Sequence, residues 1–182
     1  IKSTDDCIIV SGTLNITSTE DGIIGKDLCG IVAGDININA GSDGIKSTYD
    51  TDTTKGNVII EGGNITIKAS NDGIQAENIL VINDGTINIK TNNGAADTTQ
   101  THIDNMDMGR GGFGFNNNKT TTTTDDTSES RKGIKAGNML IINDGDITID
   151  SDDDSVHCNS VIYIYGGTIN AATGDDGVHA DD

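Results

Sequence analysis

The side chains able to do chemistry in this chain are carboxylates that return at a fixed interval. Acidic corners read Glu20-Asp21, Ser42-Asp43, Asn71-Asp72, Asp152-Asp153-Asp154 and Asp175-Asp176, each followed by Gly or Ser and then Ile or Val. Further acids stand a few residues away, at Asp5, Asp6, Asp27, Asp181 and Asp182. If the corners stack, like charges at strand spacing repel by about 1 kcal/mol per pair in water, and by more where solvent is excluded. A hard cation taking about 6–8 oxygen ligands offsets such repulsion. Asp21, Asp43, Asp72, Asp153, Asp154, Asp175, Asp176 and Asp181 are therefore candidate calcium ligands, densest where Asp153-Asp154 meets Asp175-Asp176. The pattern is not an EF-hand, because the Asp-x-Asp-x-Asp-Gly loop with its closing Glu is absent. For any single Asp the plainer role is that of a turn residue whose side chain accepts backbone N–H groups.

A second set lies just beyond these corners: Lys2, Ile24, Lys46, Gln75, Lys135, His157 and His179. Facing outward beside the acids, its polar members either neutralise them or bind an anionic or hydroxyl-rich polymer. His157 and His179 raise a soft-metal site, but the only other nitrogen or sulfur ligand nearby is Cys158, which the pattern turns the other way. Catalysis finds little support. Nucleophile elbow, zinc motif and Walker loop are all missing. A glycosidase needs two carboxyls at a set separation beside a sugar groove, often with aromatic platforms, and the chain has no Trp. A lyase acting beside a uronate usually needs a strong base such as Arg, and the arginines are Arg110 and Arg131 alone. The expectation is a protein that is not an enzyme.

What must position these residues is a repeat. The apolar residue of the Asp-Gly-Ile motif falls at Ile1, Ile23, Ile45, Ile74, Ile134, Val156 and Val178, with spacings of 22, 22, 29, 60, 22 and 22. The two long spacings mark insertions, over 48–57 and 92–132. Each period holds a short marker strand (Ile74-Gln75-Ala76), an apolar run (Ile79 to Ile82) and a strand alternating β-branched with polar residues (Ile87-Asn88-Ile89). Strict alternation is the signature of a half-buried strand. A glycine corner separates the last two: Gly12, Gly34, Gly63, Gly85, Gly145 and Gly167. Three strands per period of about 22 residues predict one all-β domain over 1–182, a parallel β-helix with coils about 4.8 Å apart. Inward columns would be Ile16, Ile38, Ile67, Ile89, Ile149 and Ala171, and Cys7, Cys29, Val58, Leu80, Leu140 and Ile162. Cys7 and Cys29 then stack in the core, as two apolar thiols in preference to a disulfide. Outward lies a polar ladder of Asn15, Asn37, Thr66, Asn88, Thr148 and Asn170, read as solvated strand surface. The outward column Ile8, Gly30, Ile59, Val81, Ile141 and Tyr163 is mostly apolar, so something covers it: the longer insertion, or a partner or ligand.

Composition narrows the partners. With 29 acidic against 11 basic side chains, a net charge of -18 would repel phosphate backbones, which excludes nucleic acid. No apolar run approaches the roughly 18 residues of a membrane span. The longer insertion carries Gly109 to Gly114, a Thr run from Thr120 to Thr124, and Met106, Met108, Phe113 and Phe115 as material able to dock. The chain opens on Ile1 and closes inside the repeat, and it reads as a processed protein or a piece of a longer array.

The segments Asp175 to Asp182 (Asp-Asp-Gly-Val-His-Ala-Asp-Asp), Lys132 to Asn138 and Ile142 to Ile149, together with the Gly-Gly-Phe-Gly insertion and its Thr-rich continuation, resemble a known family. It is the carbohydrate-binding domain family of pectate-lyase-like β-helix proteins, from secreted and cell-surface contexts in anaerobic bacteria. The resemblance implies a right-handed helix, calcium at Asp-rich corners, and non-catalytic binding of plant cell-wall polysaccharide such as pectic polymers or cellulose. It carries over to Asp153, Asp154, Asp175 and Asp176 as calcium ligands. Arg131-Lys132 departs from the pattern by replacing an acidic pair, which interrupts a calcium column or makes Lys132 an internal cation. The expected function is a calcium-stabilised, secreted or cell-surface polysaccharide-binding β-helix. The alternatives are a section of a surface stalk assembled by end-to-end stacking and, less favoured, a polysaccharide lyase.

Overall fold

The structure is a computed structural model and describes residues 1–95 and 130–181. Its strands form three parallel sheets, of seven marker strands, six apolar strands and six alternating strands. One coil runs Ile74–Ala76, Ile79–Ile82 and Thr86–Thr91, and each strand pairs with its counterparts in the coils before and after. The expected parallel β-helix is the fold, and its register is the expected one. Ile74 lies between Ile45 and Ile134, Leu80 between Val58 and Leu140, and Asn88 between Thr66 and Thr148. No helix among the described residues is long and apolar enough to cross a membrane.

Alternation drives the arrangement. In Asn64–Ala69 the residues Ile65, Ile67 and Ala69 are buried while Asn64, Thr66 and Lys68 are exposed. The inward side chains, mostly Ile, form a single cluster running the length of the stack. A one-residue slip would turn every one of them to water, so burial itself locks the register. The glycine corners meet a stricter demand. All six of Gly12, Gly34, Gly63, Gly85, Gly145 and Gly167 have φ between +88° and +126°, which L side chains rarely adopt.

The glycine of the Asp-Gly-Ile motif is needed for a different reason. A Cβ on Gly73 would stand 2.4 Å from Ile89 Cγ2 and 2.5 Å from Gly133 O. Gly22, Gly44 and Gly133 meet Ile38, Ile67 and Ile149 in the same way. In the one described coil where Ser155 takes this place, the isoleucine is replaced by Ala171. The serine then fits, with its Oγ 2.9 Å from Ser151 Oγ.

Both insertions begin where a strand has ended. Residues 48–56 leave the coil after Ile45–Ser47 and pack against its side. There Lys55 Nζ lies 2.6 Å from Asp27 Oδ2, and the Lys26 and Lys55 ammonium groups sit 4.9 and 4.8 Å from the centre of the Tyr49 ring. After the second insertion the coil is regained by Lys132, whose carbonyl accepts from Gly73 N at 2.9 Å. Met106, Met108, Phe113, Phe115 and the Gly and Thr runs lie outside the described residues, and with them the expected cover of the apolar column. Within that column Ile59, Val81 and Ile141 are half-buried, and Ile8 and Tyr163 are exposed. Cys7 and Cys29 are register partners, and these two and Cys158 are free thiols.

Candidate metal corner and polymer-binding faces

The acidic corners form a ladder of backbone bonds. Asp43 N donates to Asp21 Oδ1 at 3.1 Å, Asp72 N to Asp43 Oδ1 at 3.0 Å, Lys132 N to Asp72 Oδ1 at 2.7 Å and Asp176 N to Asp154 Oδ1 at 3.0 Å. Each carboxylate thus caps a corner N–H of the next coil, the role an Asp serves in a turn. The second oxygen faces the marker-strand column. Lys46 Nζ lies 2.5 Å from Asp43 Oδ2, Lys135 Nζ 3.7 Å from Asp72 Oδ2, His157 Nδ1 2.9 Å from Asp154 Oδ2 and His179 Nδ1 3.6 Å from Asp176 Oδ2. Asp72 is buried, and burial pushes its carboxyl up. Burial opposes the charge on Lys46 as well, but the hydrogen bond to Asp43 prevails and holds its ammonium above the ordinary lysine value.

The ladder changes character at Lys132. This residue occupies a corner that is acidic in neighbouring coils, and its side chain reaches forward one coil. Its Nζ stands 2.7 Å from Asp153 Oδ2 and 3.0 Å from Asp154 Oδ2. Beside it Arg131 Nη1 lies 2.8 Å from Asp152 Oδ2, which also accepts from Asn92 Nδ2 at 2.9 Å. Burial works against ionisation of Asp154, yet hydrogen bonds from His157 and Lys132 hold its carboxyl well below the usual carboxylate range. Lys132 is thus an internal cation of the acidic stack.

The fit to calcium can be judged from these donors. Asp153, Asp154 and Asp175 bring carboxylate oxygens within 4.8 Å of one another, hard ligands of the right type. Four carboxylates with Asp176 outnumber the single Lys132 ammonium, which leaves net negative charge. Lys132 competes for two of the same oxygens. Asp21, Asp43 and Asp72 are spaced one per coil along the ladder, and Asp181 lies on the far side of His157, 3.8 Å from Nε2.

The marker-strand column is largely engaged within the protein. Lys46 is held by Asp43, Gln75 Nε2 donates to Glu77 Oε1 at 3.1 Å, and Lys135 Nζ donates to Ser130 Oγ at 3.2 Å. His157 is buried, His179 is half-buried, and Lys2 is exposed on the first marker strand.

An open polar surface is presented by the outer face of the alternating sheet, which the sequence displayed as a polar ladder without marking it as a site. Three columns lie in register there: Thr13 to Thr168, Asn15 to Asn170 and Thr17 to Ala172. Nearly every member is exposed, and Asn, Thr, Asp and Lys predominate. Asn37 Nδ2 donates to Asn15 Oδ1 at 3.2 Å, and a shallow groove of about 340 Å³ runs across Asn15, Thr17, Asn37, Asn39, Thr66 and Lys68. A second feature missed from sequence is the Tyr163–Tyr165 pair at one end of the apolar sheet. Its rings are stacked with centroids 6.0 Å apart.

A family model described as carbohydrate-binding domain-containing protein matches residues 1–177. No curated protein and no solved structure matches the chain.

Proposed function

We propose, from the premise that the chain belongs to the carbohydrate-binding domain-containing protein family, that it holds an extended polysaccharide along the outer face of its alternating sheet and does not cleave it. The observation that carries this reading is the set of in-register, exposed Asn, Thr, Asp and Lys columns on one rigid sheet. A polymer lying along the stack meets the same donors and acceptors at every coil, so many weak contacts add up. Hydroxyl-rich chains suit amide and hydroxyl side chains, each net hydrogen bond contributing about 0.5–1.5 kcal/mol. Calcium belongs to the same reading at Asp153, Asp154 and Asp175, where an ion that displaces or joins Lys132 would bridge protein carboxylates to those of a uronate polymer. This accounts for an acidic protein binding an acidic sugar, and plant cell-wall polymers outside a bacterial cell are the partners it fits.

Affinity electrophoresis through gels containing polygalacturonate or a soluble cellulose derivative tests the reading. The protein is retarded, without release of unsaturated uronate product, and chelation weakens retardation by polygalacturonate only. Paired substitution Asn88→Ala and Thr148→Ala leaves folding intact, because exposed changes cost within about 0.5 kcal/mol. Retardation that survives this pair unchanged places the polymer elsewhere.

A further inference from the structure

We propose that Asp154, His157 and His179 form a binding site for a divalent transition-metal ion of the zinc type, distinct in chemistry from the hard-cation corner. The motif Asp-x-x-His occurs at Asp154–His157 and again one coil later at Asp176–His179. His157 and His179 are register partners on adjacent marker strands, so the fold itself stacks the imidazoles, with ring centroids 5.2 Å apart. Sequence spacing alone left the pair without a third ligand. The corner supplies one, because the residue three before His157 turns onto the same edge of the helix. Asp154 Oδ2 lies 2.9 Å from His157 Nδ1 and 3.5 Å from His179 Nδ1, and one ligand atom from each residue falls within a 4.8 Å set. Zinc bonds of roughly 2.0–2.2 Å in a tetrahedron put neighbouring donors about 3.3–3.6 Å apart, which the His179 contact meets and the His157 contact reaches by opening about half an ångström.

The surroundings are those of a built site. Asp154 and His157 are 2% and 7% exposed. The His179 side chain is 40% exposed, which gives an ion a way in and leaves a coordination position open to solvent. Asp154 is oriented by Asp176 N, which donates to its Oδ1 at 3.0 Å. His157 Nε2 lies 3.1 Å from Asn159 Oδ1, the kind of outer contact that fixes a ligand imidazole. His157 Nδ1 faces Asp154 Oδ2 at 2.9 Å, so a metal ion seated between them would take the place of the hydrogen bond that joins them. His179 nitrogens stand 3.5–3.6 Å from Asp154, Asp176 and Asp181 oxygens, too far for good hydrogen bonds. Asp153, Asp154, Asp176 and Asp181 ring the site against one opposing ammonium, Lys132, 3.0 Å from the same Asp154 oxygen. Two imidazole nitrogens select zinc, nickel or copper over calcium.

The test is calorimetric titration of the metal-free full chain with Zn²⁺, repeated with Co²⁺ to read coordination from its visible absorption. One ion binds per chain, excess Ca²⁺ does not displace it, and His179→Ala and His157→Ala each weaken it by roughly 100-fold or more, at or beyond what loss of an outer-shell partner costs. His179→Ala serves as the main variant because its side chain is partly exposed and its loss leaves the core intact. Three results overturn the proposal: no saturable Zn²⁺ binding, equal binding by His179→Ala, or displacement by Ca²⁺ that marks carboxylates alone as the ligands. In the first case His157 only hydrogen-bonds within its own coil, to Asp154 and Asn159. A calcium effect on melting or on polymer binding can appear or fail independently of the first two, while the third is linked to it through Asp154, which both ligand sets contain.

Discussion

Lys132→Ala is the perturbation that probes the acidic stack most directly. The wild-type ammonium makes two charge-assisted hydrogen bonds, at 2.7 and 3.0 Å, and its side chain is 14% exposed. Hydrogen bonds to charged groups are worth about 1.5–3 kcal/mol each. Truncating one partner of a buried ion pair costs about 3–5 kcal/mol, because the other charge stays behind. Partial solvent access reduces this, so the variant loses about 2–3 kcal/mol. For a domain of this size that lowers Tm by roughly 4–12 °C. The vacated corner then presents Asp153, Asp154 and Asp175 without their cation. An ion that binds only the folded state stabilises by about 2.7 kcal/mol at 100 times its Kd, the size of the loss. Thermal melts followed by circular dichroism, with calcium and with chelator, read both quantities. In chelator the variant melts well below wild type, and in calcium it recovers most of the difference. A variant that melts with wild type in chelator would refute the view of Lys132 as an internal cation. A variant that melts low but ignores calcium would refute the corner as a hard-cation site.

Gly133→Ser is expected to destabilise by about 1–3 kcal/mol, as overpacking does, because its Cβ would lie 2.4 Å from Ile149 Cγ2. Adding Ile149→Ala recreates the natural Ser155–Ala171 pairing, so urea unfolding of the double variant should show less than the summed loss. Cys7, with the Cys29 thiol hydrogen-bonded to its sulfur, is drawn down to about 6, while that same bond and burial push the Cys29 thiol up. A thiol reagent should therefore label Cys7 in the folded protein with a rate rising through that pH, and reach Cys29 and Cys158 only on unfolding. Asp150 is held below its ordinary value of 3.8 by the Lys90 hydrogen bond, against a smaller effect of burial. Its folded pKa is the lower one, so its contribution is present above the ordinary value and lost as pH falls through the depressed one. Asp150→Asn should flatten that part of the urea-midpoint profile, slightly, because the carboxylate is 39% exposed and solvent screens it.

The columns were readable in the chain because both signals are local: a period of two within each strand and a period near 22 between coils. Ile16, Ile38 and Ile67 had to stack once those periods were accepted, and they do. The corners were harder. Charge is visible in a sequence, but the backbone N–H that each Asp accepts is not, so Asp21 and Asp43 looked more in need of a cation than their bonded ladder makes them. The acids and the marker-strand column also looked like two separate features. The corner folds them onto one edge, where residues three apart meet, and this is how Asp154 comes to face His157. The same geometry explains why the column changes from lysine to histidine where it does. Lys46 and Lys135 face Asp43 and Asp72, which have no corner cation beside them. One coil later Lys132 already supplies a permanent charge to Asp153 and Asp154. The marker-strand residue next to Asp154 need not supply a second ammonium, and the imidazole found there offers ring nitrogens of the kind the proposed metal site uses.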